Sequence, residues 1–394
     1  MANEKAALQG IRILDLTQFL AGPICTMILG DLGADVIKIE KPVTGDPSRE
    51  TAVNINGQSV YFLGLNSSKR SMVMDLKKPR YKELFLKLAT KADIIIENFV
   101  PGTMRKLGLS YEEVKKVNPQ IIYASVSGFG QTGPYRERGA LDMIIQAMSG
   151  FMSVTGEKGG RPLKAGPSIA DTVSGFYAAI GILAALHHRS ATGEGQHVDV
   201  AMLDSMFSIL STPIGNYLAN GKVPKPQGNR HQVSAPFQPF ETMDGEIIIA
   251  APTNRVFQDV CKALGRNDLA EDGRYANRKG RVENVDELAD EITKTTKTKT
   301  TAQLEHDLEH ANVPFATVNT IDKIVRDPQI AAREMLLETE HPVAGKIKTI
   351  GSPLKMSETP GVKRRAAPTL GQHTNEILGE LLGMSEQDIK ALDE

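Results

Sequence analysis

Cysteine is scarce in this chain: only Cys25 and Cys261 occur in 394 residues, far apart and within apolar stretches. With no CxxC present, a disulfide framework is unexpected and a reducing compartment fits better. Neither sign of charge is in excess, since 46 Lys plus Arg face 47 Asp plus Glu. That balance offers no general pull toward nucleic acid or anionic lipid. Long apolar runs are missing as well. The longest apolar helix candidate, near residues 176–186, falls short of the roughly 20 residues a membrane span needs. The opening MANEKAALQG lacks the apolar core of a secretory signal. These absences point to a cytoplasmic protein with neither nucleic acid nor membrane as partner.

Nucleotide and metal motifs are absent too. GxxxxGK[ST] does not occur, and GDLGAD at 30–35 follows a predicted helix rather than a strand, the wrong context for a dinucleotide fingerprint. The eight histidines form no HExxH or similar ligand cluster. His187 and His188 are adjacent and point to different sides of a helix, whereas His306 and His310 share a face in charged, solvated sequence. No metal is expected.

What is present is the pattern of an α/β protein. Apolar residues make up 41% and charged residues 24% of a chain long enough for two domains. Strands are predicted at 11–16, 36–40, 71–76, 93–99 and 121–129, with helices at 21–32 and 80–90 between them. Such alternation implies a largely parallel sheet covered on both faces, with ligands at the carboxyl ends of its strands. A helix at 140–150, a strand HVDVAM and a helix LDSMFSILSTPIGNYLA extend this part to about residue 218. Asp199 and Asp204 on those last segments read as structural hydrogen-bonding carboxylates. NGKVPKPQGNRHQVSAP, at 219–236, has linker composition. Asp244-Gly245 marks a hairpin that opens a smaller α+β domain, 237–326. Residues 327–394 return to the large domain and end in a helix near 373–383.

The most informative stretch is AGPSIADTVSG, 165–175, in which Asp171 follows turn-prone residues and opens an apolar helix. One reading makes Asp171 a helix N-cap, a role local sequence alone favours. The other makes its carboxylate a nucleophile toward an activated acyl group. GFGQTGPYRERG at 128–139 is a long turn-rich loop, whose Arg136 and Arg138 suit phosphate or carboxylate, or serve merely as solvated charges.

Taken together, ILDLTQFLAGP, LGADVIKIEKP, NSSKRSMVMDLK, ADIIIENFVPGTMRKLGL, IIYASVSGFGQTGPY, the D-x-x-x-Q-A-x-S-G of Asp142 to Gly150, GPSIADTVSG and TGEGQHVDVAMLD resemble the class III coenzyme A transferases. The match runs in order over nearly the whole chain. The resemblance implies a Rossmann-like, mostly parallel large domain and a smaller α+β domain in an interlocked homodimer, with large-domain strands drawn from both ends of the sequence. It implies that Asp171 is the catalytic nucleophile, forming an acyl anhydride and then an aspartyl-CoA thioester. Backbone amides around Gln18 to Ala21 are the implied oxyanion donors. The implied CoA contacts are Leu20, Ala21, Lys41, Met74, Lys77, Asn98, Phe99, Val100, Lys106 and Arg138. Substrates would be an acyl-CoA and a small carboxylic acid, with no prosthetic group. Lys41 and Lys106 stand where the family prototype carries arginine, which keeps charge but loses the bidentate fork. Leu141 replaces the histidine of the racemase branch, and leucine cannot move a proton, which favours transfer over α-proton exchange. AAPTNRVF stands in place of the glycine-rich loop of the oxalate enzyme. An epimerase and a non-catalytic CoA-binding protein are the competing readings.

Overall fold

The computed structural model describes residues 6–363 and 365–392. Its chain divides into two compact units, one of Met1–Met152, Lys164–Gly221 and Pro328–Glu394, the other of Ser153–Leu163 and Lys222–Asp327.

The first unit is built on six strands: β1 (Arg12–Asp15), β2 (Asp35–Glu40), β3 (Lys69–Val73), β4 (Ile94–Glu97), β5 (Ile122–Ser127) and β6 (His197–Ala201). They lie in the order β3-β2-β1-β4-β5-β6, every neighbouring pair parallel. This is the doubly wound order, whose direction of progression reverses between β1 and β4. Two-residue alternation sends Leu14, Ile37, Ile95 and Tyr123 to one face and Ile13, Val36, Ile94 and Ile122 to the other. Helix α1 (Ala21–Asp31) and the long helix α4 (Ile169–Thr192) cover the second face through Cys25, Leu29, Ala178 and Ile182. On the first face lie α2 (Pro79–Ala89) and the C-terminal helix Thr374–Leu382. Helix α3 (Asp142–Met148) and the pair Met202–Ile209 and Ser211–Asn220 complete the unit's middle segment.

Several sequence expectations change here. The helix expected at 176–186 spans 24 residues and contains an apolar window long enough to cross a membrane. Its small residues pack it against α1 and the sheet, as one wall of the core. The large unit does draw strands from the C-terminal segment, but among the described residues Leu336–His341 and Gly345–Ile350 pair with each other in an antiparallel hairpin instead of extending the main sheet. Asp204 is exposed in the first turn of its helix rather than buried, and Asp199, also exposed, accepts from the Gln131 amide at 2.9 Å.

The second unit contains a sheet of Phe237–Glu241, Glu246–Ala250 and Phe315–Ala316 with helices Asn254–Leu264, Val285–Thr296 and Thr301–His310 around Phe257, Leu288 and Leu304. Its hairpin turns through Asp244, whose carboxylate accepts from the Thr301 amide at 2.7 Å. Residues 153–163, assigned from sequence to the large domain, cluster here through the Gly228 amide on the Gly156 carbonyl. The segment read as a linker is likewise fastened to this unit, since Arg230 pairs with Asp286 at 2.6 Å and His231 stacks on Phe237.

Candidate active site

Asp171 is the third residue of α4, and Ser168 occupies the N-cap without a side-chain cap. The capping task is performed from outside the helix. Asp142 Oδ1 accepts from the Ala170 amide at 2.8 Å and the Asp171 amide at 3.4 Å, while Asp142 Oδ2 accepts from Gln146 Nε2 at 2.6 Å. Gln146, fully buried one turn later on α3, accepts in turn from the Ala165 amide at 2.8 Å. The D-x-x-x-Q spacing therefore places two side chains on one helical face to hold the loop before Asp171. With its helix capped by another residue, the Asp171 carboxylate accepts no hydrogen bond among the described residues. Burial, and then the charge of Asp142, push its carboxyl up to about 7. A helix cap would show the opposite signature, an acceptor bonded to amides and held below the ordinary carboxylate range.

Glycine brings this carboxylate to the end of β1. Gly175 lies one turn beyond Asp171 on the same face of α4. A methyl group there would come within 2.1 Å of Ile24 Cγ2 and 2.5 Å of the Ala21 carbonyl oxygen. The first turns of α4 and α1 thus pack at backbone distance. Between β1 and α1, the first residues of the loop are tied down. The Thr17 amide donates to Asp15 at 2.9 Å, the Gln18 amide to Asn98 Oδ1 at 2.8 Å, and Asn98 Nδ2 donates back to the Gln18 carbonyl at 2.8 Å. Asn98 immediately follows β4, so this reciprocal pair spans the reversal point of the sheet. The amides of Leu20 and Ala21 have no partner among the described residues and open α1, the positive end of its dipole.

The other expected contacts follow the carboxyl edge of the sheet. Lys41 is exposed after β2; Met74, buried, and Lys77, exposed, follow β3; Phe99 and Val100 follow β4. A pocket of about 670 Å³ opens beside β4 and β5, and Val100 and Lys106 line it together with Arg105, Tyr111, Arg136 and His197. Arg138 is not in that lining. Its guanidinium lies 4.9 Å from the Tyr135 ring and 5.5 Å from the Phe129 ring, so Arg136 supplies the loop's cation to the pocket. Beneath the pocket, burial pushes the Glu97 carboxyl up to about 7, although it accepts from the Phe99 amide at 2.8 Å. Ser125, within reach of Glu97, also bonds His197 Nε2 at 3.0 Å.

Sequence reasoning did not single out Tyr61. Its hydroxyl is pushed up to about 12 by burial and by the charges of Asp171, Asp46 and Asp142, which face it from three segments. No motif marks a lone tyrosine after GQSV, and only the fold brings it within reach of the Asp171 charge. The use of Asp142 and Gln146 was encoded in their i, i+4 spacing, although neither was assigned a role. Leu141 is exposed at the N-cap of α3.

Residues 8–374 match the family model described as CoA-transferase family III. The chain belongs to CoA-transferase family III. It is 40% identical to the succinate–glutarate CoA-transferase of Agrobacterium fabrum, over 97% of each chain. It is 41% identical to the succinyl-CoA:mesaconate CoA-transferase of Haloarcula hispanica, over 95% of this chain and 96% of that one. A crystal structure of a CAIB/BAIF family protein from Brucella suis superposes with a TM-score of 0.85 at 38% identity, over 95% of this chain and 99% of that one. As a family III enzyme, this protein is an acyl-CoA:carboxylate CoA-transferase with a CoA thioester as substrate, and the α/β fold expected from its sequence is the fold it has.

Proposed function

We propose that this transferase moves CoA through Asp171 in covalent steps. The Asp171 carboxylate attacks the donor thioester carbonyl, a C–O bond forms, the C–S bond breaks and CoA thiolate leaves. The thiolate then attacks the aspartyl carbonyl of the anhydride, releasing the donor acid and leaving an aspartyl-CoA thioester. An acceptor carboxylate repeats the sequence in reverse, so CoA departs on the new acyl group and Asp171 is regenerated. Thioester and anhydride are comparably activated, so no ATP is required, and one difficult exchange is divided into easier ones.

The observation that carries this reading is the Asp171 carboxylate, left unbonded because Asp142 caps its helix. The Leu20 and Ala21 amides support it as donors to the tetrahedral oxyanion. CoA is assigned to the carboxyl edge of the sheet and the pocket of Lys106 and Arg136. Leu141 supports transfer over epimerisation, since it carries no titratable proton. Succinyl-CoA as donor and a short dicarboxylic acid as acceptor follow from the names of the two relatives. The same proposal includes a cytoplasmic location and an interlocked homodimer, the homodimer being supported by the exposed Phe176, Tyr177 and Ile180 on α4 and by Phe207, Tyr217 and Leu218 on the helices that follow β6.

Intact-protein mass spectrometry after mixing with succinyl-CoA, without acceptor, tests the mechanism. A covalent adduct is expected at position 171 and is expected to be absent from Asp171→Ala. Full transfer activity in Asp171→Ala would remove Asp171 from the mechanism.

A further inference from the structure

Phe19, in the loop that leads into α1, has φ +61. This left-handed conformation is uncommon for a bulky side chain and persists only where surroundings enforce it. The enforcing groups lie underneath. Lys38, fully buried on β2, donates to the Thr17 carbonyl at 2.7 Å and pairs with Asp46 at 2.9 Å. Asp46, also buried, accepts from the Phe19 amide at 3.3 Å and from the Ser48 amide at 2.9 Å. A second buried lysine, Lys69, pairs with Asp15 at 3.1 Å and donates to the Pro23 carbonyl at 3.2 Å. Thus one ammonium group holds the Thr17 carbonyl of the loop before Phe19, a second holds the Pro23 carbonyl in the first turn of α1 after it, and a carboxylate holds the Phe19 amide. Hydrophobic residues would fill this space at lower desolvation cost, so four buried charges under one loop mark a device for geometry. The charges of Asp46 and Asp171 both raise the Tyr61 hydroxyl, which puts this cluster and the nucleophile within electrostatic reach of one side chain.

We propose that the Lys38–Asp46 pair is a positioning element for catalysis: by holding Phe19 in the left-handed region it turns the Leu20 and Ala21 amides toward the oxyanion formed at Asp171. This inference rests on the covalent reading above. In it Lys38 and Asp46 touch no substrate and act only through the loop. With the pair intact, the amides are preorganised before substrate arrives, the condition under which such donors stabilise a transition state without reorganisation. Loss of the pair lets residue 19 relax into the extended region and rotates the two amides away.

Two substitutions at position 19 isolate the conformation, because both remove the ring. Asparagine tolerates the left-handed region and valine does not. Phe19→Val is expected to lower kcat by about 10²-fold, the order found when an oxyanion donor is lost, with KM for the donor nearly unchanged. Phe19→Asn, which loses the ring but keeps the left-handed conformation, is expected to retain at least about tenfold more kcat than Phe19→Val. Asp46→Asn and Lys38→Met are expected to lower kcat similarly. Glycine at position 19, which reaches the left-handed region without steric cost, is expected to restore part of the Asp46→Asn loss. A purely structural ion pair gives no such rescue. Equal kcat for Phe19→Val and Phe19→Asn, with Asp171→Ala inactive, overturns the proposal and leaves the nucleophile standing. Transfer by Asp171→Ala overturns the nucleophile instead. Should Asp46→Asn and Lys38→Met fail to fold, the position-19 pair still decides, since that side chain is half exposed.

Discussion

Replacing Asp171 with asparagine should stabilise the protein above neutral pH while abolishing transfer. The folded carboxyl titrates at about 7, pushed up by burial and Asp142, against 3.8 in an unperturbed chain. A group raised in this way contributes stability that is fully present below about pH 4 and is lost as pH rises through 7. The full displacement corresponds to about 4 kcal/mol. Partial water access to the side chain lowers that to about 1–3 kcal/mol. A charge in the first turn of α4 recovers about 0.3–1 kcal/mol from the helix dipole, which leaves a penalty of about 0–3 kcal/mol and, at mid-range, about 1–2 kcal/mol. Asparagine keeps the shape and drops the charge. Near 2 °C per kcal/mol for a unit of this size, Asp171→Asn should melt about 2–4 °C higher than the parent at pH 8, and at an equal temperature near pH 4. Thermal melting followed by circular dichroism across that range measures both ends. A difference that does not grow with pH, or a variant less stable at pH 8, would show that the carboxylate is not desolvated as described.

Further expectations follow from the same contacts. The kcat/KM of the parent enzyme should rise with pH to a plateau above about 7 as Asp171 ionises, read from a pH–rate profile. Asp142→Asn removes the second cause of the Asp171 displacement, so that limb should move to lower pH; an unmoved limb would exclude coupling between the two carboxyls. Asp142→Ala in addition removes the cap on α4, and should cost about 1 kcal/mol in a denaturant titration. Gly175→Ala forces a methyl group against the Ala21 carbonyl oxygen and should cost about 1–3 kcal/mol. The same variant should lower kcat, because the first turns of α1 and α4 must separate.

Period-two and helical patterning located the six strands of the sheet to within a few residues, because a strand buried on both faces must be an apolar run such as Ile94–Ile95–Ile96. The hairpin at Asp244-Gly245 was legible for a similar local reason. Long-range partners were not. Nothing in the alternation of LLETEHPVAGKIKTIG distinguishes a strand that joins the main sheet from one that pairs only with its neighbour, and Gly345–Ile350 does the latter. Local sequence did not distinguish Arg136 from Arg138, whereas in the fold Arg136 lines the pocket and Arg138 lies over the rings of Phe129 and Tyr135.

Residue order alone determined that this chain is α/β, that its main sheet is parallel, and that Asp171 lies at the start of an apolar helix. Those properties depend on patterns a few residues long. Whether that carboxylate caps its own helix depended on Asp142, nearly thirty residues away, and on how closely Gly175 lets two helices approach. Only folding assembles such distant groups, since hydrogen bonds and charge interactions act over a few ångströms of space irrespective of separation along the chain.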